Sequence, residues 1–599
     1  MFKQKIEDDL KKVIEDLGYQ STDIVCSIPK NLAFGDYTTN IALQLANQKS
    51  RSGKQTLEKI ANEIVTRIKS LESSKEYLEK VEVAGPGFIN FSLKDETLLL
   101  NVPRVCNYSA FVNPEVELNS SEKKKVLVEY AHPNTHKQFH IGHLRNINLG
   151  ETIARLLESS GNEVFRANYE GDIGLHVAKA LWGLKRIKNY ESRIKEKDVN
   201  ERQKLLGEAY VLGTKAYEER EGAKIQIQQI NKQLYARDPK IIGLWEKTRQ
   251  WSLDYFDLIY KKLGTKFDGF VFESEVEERG QQIVRDNVGE IFEKDQGAII
   301  FPGDRYGLHN RVFITSEGHP TYEAKDLGRA EAERKAFDFD QAVHVVATDQ
   351  SGYFQVMFKA LELVDPYFLG KNYHLAYGMV KLATGKMASR TGDVVTFDWL
   401  YEEVKKKVAE VMSKAVISAQ AGIQRENKFN GSPIRSGMTK EEKQSVIDIV
   451  SIGAIKFSML KYSPQTDITF DIEKSVSLLG DSGPYLQYTY ARAKSVLRTA
   501  AYNYTPGAEA KNLEIEERLI LQRIEHFEVV LEESAKNYSP NTLAEYLLDL
   551  ARSFNLFYQK HPIIKSEEKM ELRLALTCAV AVILKQGLYL LGIDAPERM

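Results

Sequence analysis

Four of the chain's eleven histidines lie in one short stretch, residues 132–146, with the sequence HPNTHKQFHIGHLRN. His136 and His140 have the spacing of two ligands on one face of a helix, which suits a metal ion. A zinc site usually needs further His, Cys or carboxylate ligands, however, and the H-E-x-x-H pattern is absent. Pro133 also biases His132 toward an extended backbone, and a loop is expected between the neighbouring strand and helix. We therefore expect no metal site here.

The same stretch has the features of a phosphate-binding site. It lies between the buried-strand pattern KVLVEY and the helix pattern GHLRNINLGETIARLLESSGN, and ligands of open α/β sheets bind at the carboxyl ends of strands. A helix N-terminus there offers free N–H groups and a partial positive charge. Gly142 would let a ligand approach the backbone closely, and His140 and His143 could donate hydrogen bonds to an α-phosphate as negative charge builds up. Simple helix capping stays open as the alternative for His132 and His136.

A second candidate phosphate element lies at residues 385–395, GKMASRTGDVV, after a predicted strand. Glycines flank Lys386, Ser389 and Arg390, so the loop is basic and its backbone is free to move. Such a loop could close over a triphosphate and neutralise a leaving pyrophosphate. Taken alone, the segment is equally compatible with a Gly-rich surface turn.

Composition limits the class of protein. The chain has 599 residues, of which 43% are hydrophobic and 28% charged, as in a globular protein of several domains. The net charge of −2 leaves a nucleic-acid partner open, since a basic face can lie within a neutral total. Cys26, Cys106 and Cys578 are too scattered for a disulfide framework or a cysteine zinc site. With no run of about 18 apolar residues and no secretory signal, we expect a cytoplasmic protein with no membrane partner.

Hydrophobic periodicity divides the chain into three parts. Residues 1–110 are predicted to form an α+β unit, which a polar linker follows. Residues 121–400 alternate strands and helices, and this pattern predicts an α/β domain with a mostly parallel sheet. Within that domain, about 200–263 is predicted as a helical pair outside the sheet, and residues 401–599 are predicted to be helical.

The motifs resemble those of a known enzyme family. HIGH and KMASR resemble the two signature motifs of class I aminoacyl-tRNA synthetases, and the wider match is to arginyl-tRNA synthetases over nearly the whole chain. The similar segments, in family order, are GDYTTNIALQLA, GPGFINF, VEYAHPNTHKQFHIGHLRN, EGDIGLH, PTYEAKDLG, GMVKLATGKMASRTGDVV, IGAIKFSML, SGPYLQYTYAR and LGIDAPERM. The resemblance implies an α/β, Rossmann-type class I catalytic domain, with an N-terminal α+β domain and a C-terminal all-α anticodon-binding domain.

The resemblance also implies a reaction. ATP and L-arginine would form arginyl-adenylate with release of pyrophosphate, and the arginyl group would then pass to the 3′-terminal adenosine of arginine tRNA. In this family the first step generally needs bound tRNA. The resemblance implies ATP with Mg2+ and no zinc, and we expect a monomer.

By the resemblance, His140, His143 and Lys386 match the catalytic residues of the two motifs. Ser389 stands where the second motif usually has its second lysine, and Lys137 lies where many arginyl enzymes supply the missing cation. A leaving pyrophosphate needs compensating positive charge from either source. The residues that the resemblance implies in ATP binding are Gly142, Met379, Val380, Ser389, Arg390, Gly171 and Gly174.

A guanidinium is planar and always charged, so its pocket needs carboxylates and acceptors that match its geometry. The resemblance implies Glu129 and Asp326 as these carboxylates, with Tyr322 beside the guanidinium. Asn134 and Gln350 are implied in holding the amino-acid end of the substrate. Without the resemblance, Glu129 and Asp326 would be interpreted as ordinary surface charges.

The flanking domains supply candidates for tRNA contact. The N-terminal part resembles the additional domain that contacts the tRNA elbow near the D-loop, where aromatic side chains can stack on splayed bases. Core packing is an equally good interpretation of each aromatic residue. The candidates for tRNA contact are Tyr37, Phe88 and Asn90 in the N-terminal domain, and Gln487, Tyr488 and Met599 in the C-terminal domain.

Three other functions stay open at this point. A class I synthetase for another amino acid is the nearest, although a glutamyl enzyme would need basic residues in place of Glu129 and Asp326. A small nucleotidyltransferase would not need the flanking RNA-type domains. A non-catalytic RNA-binding relative would not need the intact His140, His143 and Lys386.

Overall fold

A computed structural model of the chain confirms the predicted fold class. The structure describes residues 2–20, 23–48, 57–107, 123–193, 198–383, 395–420, 438–504 and 512–599. An α+β unit comes first, a parallel sheet with helices follows, and helices dominate the rest. The residues predicted in the second phosphate loop, Lys386, Ser389 and Arg390, lie outside the described residues.

The N-terminal unit packs helices against one antiparallel sheet. Its elements are α1 (Phe2–Asp16), β1 (Cys26–Ser27), β2 (Tyr37–Thr39), α2 (Ile41–Gln48), α3 (Leu57–Ser70), α4 (Glu72–Tyr77), β3 (Leu78–Ala84), β4 (Phe88–Leu93), α5 (Asp95–Leu99) and α6 (Asn101–Cys106). The strand order is β1–β2–β4–β3. Phe2, Ile6, Leu10 and Ile14 recur at helical spacing and are buried, so α1 contributes one apolar face to this core.

A five-stranded parallel sheet forms the centre of the next part. The strands after the linker are β5 (Lys125–Glu129), β6 (Glu163–Glu170), β7 (Gly269–Phe272), β8 (Glu293–Asp295), β9 (Ala298–Phe301), β10 (Arg311–Ile314), β11 (Gln341–Ala347), β12 (Asn372–Tyr377), β13 (Val380–Leu382) and β14 (Ile468–Phe470). The central sheet has the order β12–β11–β5–β6–β7, and each neighbouring pair is parallel. Val126, Leu127 and Val128 are all buried, as expected of a strand covered on both faces.

The helices of this part lie between the strands in sequence. They are α7 (Ile141–Ser159), α8 (Leu175–Leu184), α9 (Tyr190–Arg193), α10 (Val199–Glu219), α11 (Glu221–Tyr235), α12 (Pro239–Lys262), α13 (Glu273–Asp286), α14 (Tyr322–Ala336) and α15 (Ser351–Val364). The predicted helical insertion therefore holds three helices, and the prediction of a pair is wrong. Arg220 has an extended backbone and so separates α10 from α11. Asp238 caps the N-terminus of α12, and Pro239 is the first residue of that helix, a position that proline favours.

The last part of the chain is almost wholly helical. Its helices are α16 (Phe397–Gln420), α17 (Lys440–Leu460), α18 (Ile472–Ser475), α19 (Gly483–Thr499), α20 (Ile515–Lys536), α21 (Pro540–Lys560) and α22 (Met570–Leu590). It also holds β14, which pairs in parallel with β13 from before residue 400. This pairing ties the sheet-bearing part to the helices beyond it.

Helix α22 is the one described helix that is long and apolar enough to cross a membrane, which the sequence prediction did not expect. Of its most apolar stretch, 78% is buried inside the protein. It packs against α6, α7, α19, α20 and α21. The apolar composition of α22 is therefore accounted for by packing within the fold.

Helix α20 joins the N-terminal unit to the C-terminal helices through buried polar groups. The Tyr37 hydroxyl donates to Glu525 Oε1 at 2.8 Å, and the Asn101 amide donates to the other oxygen of the same carboxylate. Gln522 donates to Asp36 Oδ1 at 2.8 Å. Since buried polar groups are costly when unpaired, these bonds fix the two parts relative to each other.

Candidate active site at the carboxyl end of the first parallel strand

Helix α7 begins at two histidines that cap it. His140 Nδ1 accepts a hydrogen bond from the Gly142 N–H at 3.1 Å, and His143 Nδ1 accepts one from the His140 N–H at 3.1 Å. The two rings stack with centroids 3.7 Å apart. A Cβ on Gly142 would lie 2.9 Å from His140 Cε1. The glycine therefore makes room for the folded-back imidazole, and its predicted approach to ATP stays a prediction.

Both imidazoles are neutral near neutral pH. Burial, and then the charge of Lys137, lowers the pKa of His140 to about 4, and burial lowers the pKa of His143 well below its usual value. Because each Nδ1 accepts a backbone N–H, each Nε2 carries the single ring proton. Neither Nε2 has a partner among the described residues. The start of α7 thus holds two neutral N–H donors beside free backbone N–H groups, which suits a phosphate.

His136 has hydrogen-bond partners within the protein, and His132 lies beside Glu129. His136 is buried, with Nε2 2.7 Å from the Thr248 hydroxyl, and its backbone N–H donates to the Ser252 hydroxyl at 2.9 Å. Both contacts attach the loop to α12. His132 Nδ1 lies 3.6 Å from Glu129 Oε1. Within the described ranges, no group of three His, Cys, Asp or Glu side chains could hold a metal ion.

Lys137 lies between the capping histidines and the helical insertion. Its ammonium is 5.6 Å from the ring centroid of Tyr210 on α10, a cation–π contact. Its carbonyl accepts a hydrogen bond from the Gln203 amide at 2.7 Å. Burial lowers the pKa of Lys137, and its charge acts on His140 in turn. The insertion therefore positions the lysine that the sequence assigned to the phosphates.

The chain returns to α7 directly after residues 384–394, which lie outside the described ranges. The Ile141 N–H donates to the Val395 carbonyl at 2.9 Å, and the Phe397 N–H donates to the Phe139 carbonyl at 2.9 Å. Thr396 forms a bridge with His140 between these two bonds. The residues that follow the second motif therefore pair with the first motif.

Met379 and Val380, predicted for ATP binding, lie at the start of strand β13: Val380 is its first residue and Met379 directly precedes it. The Met379 N–H donates to Asp467 Oδ1 at 2.7 Å, and its carbonyl accepts from the Ile468 N–H at 2.7 Å. These backbone groups are thus already paired. The Met379 side chain, 49% exposed, is the part left accessible to a nucleotide.

Gly171 and Gly174, also predicted for ATP, shape the loop after β6. The Thr135 N–H donates to the Gly171 carbonyl at 2.9 Å, which joins this loop to the histidine stretch. A Cβ on Gly171 would lie 2.4 Å from Asn134 Oδ1, so this glycine makes room for the Asn134 side chain. Gly174 has a φ of +125°, which favours glycine at the turn into α8.

The predicted arginine pocket holds two buried carboxylates, Glu129 and Asp326, and the guanidinium of Arg329 is hydrogen-bonded to both. Arg329 Nη1 donates to Glu129 Oε2, and Arg329 Nη2 donates to Asp326 Oδ2 at 3.3 Å. His344 contacts the same oxygen of Glu129, and the Tyr353 hydroxyl donates to Asp326 Oδ2 at 2.7 Å. The fold thus brings together Glu129 from β5 and Asp326 from α14, as the resemblance implied for a guanidinium site.

Burial sets the protonation of this pocket. It raises the pKa of Asp326 to about 8 and lowers the pKa of His344 to about 4, because both groups lose contact with water. Sequence reasoning missed His344, Tyr353 and Arg329. Only Arg329 had a local signal, since it follows Asp326 by three residues on one helix, a spacing at which opposite charges meet.

The other residues predicted for arginine lie around this pocket. Tyr322 begins α14 and is 64% exposed, with the Lys325 ammonium 5.5 Å from its ring centroid. Asn134 follows β5, and the exposed Gln350 follows β11. Since β5 and β11 are neighbours in the sheet, both side chains lie at the edge where parallel sheets bind ligands.

Of the tRNA candidates in the N-terminal unit, only Phe88 is accessible. Tyr37 is fully buried, bonded to Glu525 and packed with its ring centroid 5.4 Å from that of His526. Asn90 is buried and accepts the Thr38 hydroxyl at 2.7 Å. Tyr37 and Asn90 therefore have structural partners in place of the predicted RNA bases. Phe88 begins β4 and is 39% exposed.

The C-terminal candidates are buried as well. The Gln487 amide donates to the Asp594 carbonyl at 2.7 Å, and Arg492 donates to the Tyr488 hydroxyl at 2.9 Å. Met599 belongs to the hydrophobic core. Helix α19 is buried over most of its first two turns, so its aromatic pattern reflects packing among helices. The structure does not support direct tRNA contact by these three residues.

Comparison with known proteins gives one family for the whole chain. The family model for the class I (R) tRNA synthetase catalytic domain matches residues 108–472. Models for the arginyl tRNA synthetase N-terminal domain and the DALR anticodon-binding domain match residues 1–93 and 486–599. An arginine–tRNA ligase of Flavobacterium psychrophilum is 32% identical over 86% of this chain and 85% of its own. One from Porphyromonas gingivalis is 31% identical over 92% of each chain.

Solved structures agree on the fold. The arginyl-tRNA synthetase of Thermus thermophilus matches with a TM-score of 0.78 over 100% of both chains at 24% identity. That of Plasmodium falciparum matches with a TM-score of 0.77, over 100% of this chain and 99% of its own, at 20% identity. Since the catalytic-domain model alone spans more than half of the sequence, and a close relative is 32% identical over most of both chains, the chain belongs to the arginyl-tRNA synthetase family.

Proposed function

We propose that this chain, an arginine–tRNA ligase, activates L-arginine with ATP at the carboxyl end of β5. One observation carries the proposal: the same strand leads to both halves of the site. Glu129, its last residue, lies in the acidic pocket, and His140 and His143 cap the helix that follows it. A guanidinium-binding end and a phosphate-binding end therefore lie on either side of one loop.

In the first step the arginine carboxylate attacks the α-phosphorus of ATP. The bond from that phosphorus to the oxygen bridging to the β-phosphate breaks, and pyrophosphate leaves with that oxygen. Negative charge grows on the α-phosphate oxygens in the transition state. The Nε2–H groups of His140 and His143 donate to these oxygens, and as neutral, pre-oriented donors they are most useful where charge develops.

The leaving pyrophosphate is stabilised by cations around the same helix start. Lys137, held by Tyr210 and Gln203, supplies one of them. Lys386 and Arg390, with Ser389 between them, supply the rest from the second motif. Mg2+ would enter bound to the phosphates of ATP, where it offsets part of their charge.

The arginine side chain lies in the acidic pocket, with its guanidinium donating to Glu129 and Asp326. Tyr322 covers the guanidinium from the mouth of the pocket. Asn134 and Gln350, at the ends of neighbouring strands, hold the ammonium and carboxylate ends and aim the carboxylate at the α-phosphate. A fixed approach of this kind replaces an encounter in solution and lowers the entropy cost of the reaction.

In the second step a hydroxyl of the 3′-terminal adenosine of arginine tRNA attacks the arginyl carbonyl. The bond to the phosphate breaks, and AMP leaves as arginyl-tRNA forms. Bound tRNA is needed for the first step as well. Phe88 contacts the tRNA from the N-terminal unit, and the enzyme works as a cytoplasmic monomer.

Charging of total tRNA with each labelled amino acid, together with ATP–pyrophosphate exchange, tests this assignment. We expect charging with arginine alone, and exchange only when tRNA is present. Charging with another amino acid would contradict the substrate, and full exchange without tRNA would contradict the order of events. Binding of tRNA without any charging would favour a non-catalytic RNA-binding protein.

A variant separates the phosphate role of the histidines from their capping role. His143→Asn keeps an acceptor for the His140 N–H but loses the distal Nε2–H donor. We expect kcat to fall about 100-fold or more, as when an oxyanion donor is removed, with the melting temperature close to wild type. His309→Asn, at an exposed histidine, is the matched control. Equal activity of the two variants would rule out the phosphate role.

A further inference from the structure

The acidic pocket already holds a guanidinium that belongs to the protein. Arg329 follows Asp326 by one turn on α14 and is only 5% exposed. One of its terminal nitrogens bonds Glu129 and the other bonds Asp326. Its Nη1 also lies 3.7 Å from Glu333 Oε1. A single side chain thus crosses between three buried carboxylates.

The bonds of Arg329 use only one oxygen of each carboxylate in the arginine pocket. At Glu129 the bonds from Arg329 and His344 both go to Oε2. At Asp326 the bonds from Arg329 and Tyr353 both go to Oδ2. Within the described part of the chain, Glu129 Oε1 and Asp326 Oδ1 accept no hydrogen bond. The nitrogen Nδ1 of His132, which burial keeps neutral by lowering its pKa to about 4, lies 3.6 Å from Glu129 Oε1.

The two remaining oxygens form a matched pair of acceptors. A carboxylate has about four lone-pair sites on its two oxygens, so each can bind one guanidinium on each side. Because one rigid, planar guanidinium bonds both carboxylates, their separation and tilt are set by its geometry. Glu129 Oε1 and Asp326 Oδ1 are then the two oxygens left to accept hydrogen bonds from a second guanidinium.

The charges leave room for that second cation. Glu129, Asp326 and Glu333 are three buried acids around one Arg329. His344 is neutral, since burial lowers its pKa to about 4, and Tyr353 contributes a hydroxyl. Even with Asp326 protonated, as its pKa of about 8 implies near neutral pH, the one guanidinium of Arg329 faces two further carboxyls, Glu129 and Glu333, so a cationic substrate completes the pocket.

We propose that Arg329 is a positioning residue for the substrate. It bridges Glu129 and Asp326 and thereby holds Glu129 Oε1 and Asp326 Oδ1, their outer oxygens, where they fit the guanidinium of arginine. The proposal rests on the proposed arginine pocket and adds how its selectivity arises. A planar fork reaches both outer oxygens at once, whereas an ammonium is a point charge that matches only one. Arg329 therefore favours arginine over lysine without touching the substrate's backbone.

Arg329→Met tests this role because it keeps an unbranched apolar stem and removes the planar guanidinium. We expect KM for arginine in the charging reaction to rise about tenfold or more, as for the loss of charge-assisted hydrogen bonds. KM for ATP should stay within about twofold of wild type, since the phosphate site is built by α7. Arg334→Met is the matched control, because Arg334 lies on the same helix and pairs with Asp365 away from the pocket.

A second variant covers the case in which Arg329→Met fails to fold. Arg329→Lys keeps the buried charge but cannot bridge two carboxylates in a plane. We expect it to keep a melting temperature near wild type while KM for arginine rises and the preference for arginine over lysine, measured by inhibition with free lysine, falls. An Arg329→Lys enzyme with unchanged KM and selectivity would show that only the charge matters and would overturn the proposal.

Failure of this inference can be told apart from failure of the pocket itself. Glu129→Gln should raise KM for arginine if the pocket is correctly placed. If Glu129→Gln raises KM and Arg329→Met leaves it unchanged or lowers it, the pocket stands and the bridging role is wrong. If neither variant changes KM for arginine, the pocket assignment is wrong and the bridging role fails with it.

Discussion

Arginine binding should strengthen as pH rises from about 6.5 to about 8.0, because the substrate guanidinium binds the ionised form of Asp326. Burial raises the pKa of this carboxyl to about 8. Tyr353 and Arg329 both donate to Oδ2, so the proton of the neutral carboxyl lies on Oδ1. That is the oxygen proposed for the substrate, and arginine must expel the proton in order to bind.

The magnitude follows from the pKa. A carboxyl with a pKa of about 8 is about 3% ionised at about pH 6.5 and about half ionised at about pH 8.0. The apparent dissociation constant varies inversely with the fraction of protein in the binding form. Affinity for arginine should therefore rise about 16-fold over this interval. The guanidinium keeps its charge throughout, so the change originates in the protein.

Equilibrium dialysis with labelled arginine at constant ionic strength measures this directly. Asp326→Asn is the control, because an amide does not titrate and should bind arginine weakly with no slope across the interval. A wild-type affinity that is flat with pH would refute the reasoning. So would an Asp326→Asn protein that keeps the wild-type slope, since another group would then be titrating.

Four further variants test other parts of the molecule. Lys137→Ala should lower kcat for charging about 100-fold, and near-normal kcat and KM for ATP in this variant would exclude the pyrophosphate role. Tyr210→Leu should lower kcat about two- to fivefold, because the cation–π contact to Lys137 is lost. Tyr37→Phe should lower the melting temperature, since a buried acceptor left unpaired costs about 1–3 kcal/mol, while charging at low temperature stays normal. Phe88→Ala should raise KM for tRNA and leave KM for arginine unchanged, as steady-state charging can show.

The phosphate end of the site was the part most open to prediction. A strand pattern, a loop and a helix pattern follow one another over about 35 residues, and His140 and His143 stand where the helix must start. Capping depends on residues two and three positions apart, so local sequence contains the whole arrangement. The packing of the His140 ring beside Gly142 escaped prediction, because it depends on how the imidazole folds back over the helix start.

The RNA contacts were the part least open to prediction. An aromatic residue suits a hydrophobic core and a base-stacking surface equally well. What decides between them for Tyr37 is Glu525, 488 residues away in the sequence. Tyr488 and Met599 are likewise enclosed by helices that meet only in the folded chain.

By itself the sequence determined the elements and their order: a parallel sheet, a capped helix after its first strand, a helical insertion and a helical end. These depend on periodicity and capping, which act over a few residues. Only the tertiary structure decided that Arg329 lies inside the arginine pocket. In a run such as AKDLGRAEAERK every charge looks like part of a solvated helix face. Burial of this one comes from Glu129 and His344 on two strands paired side by side, and no local pattern records that pairing.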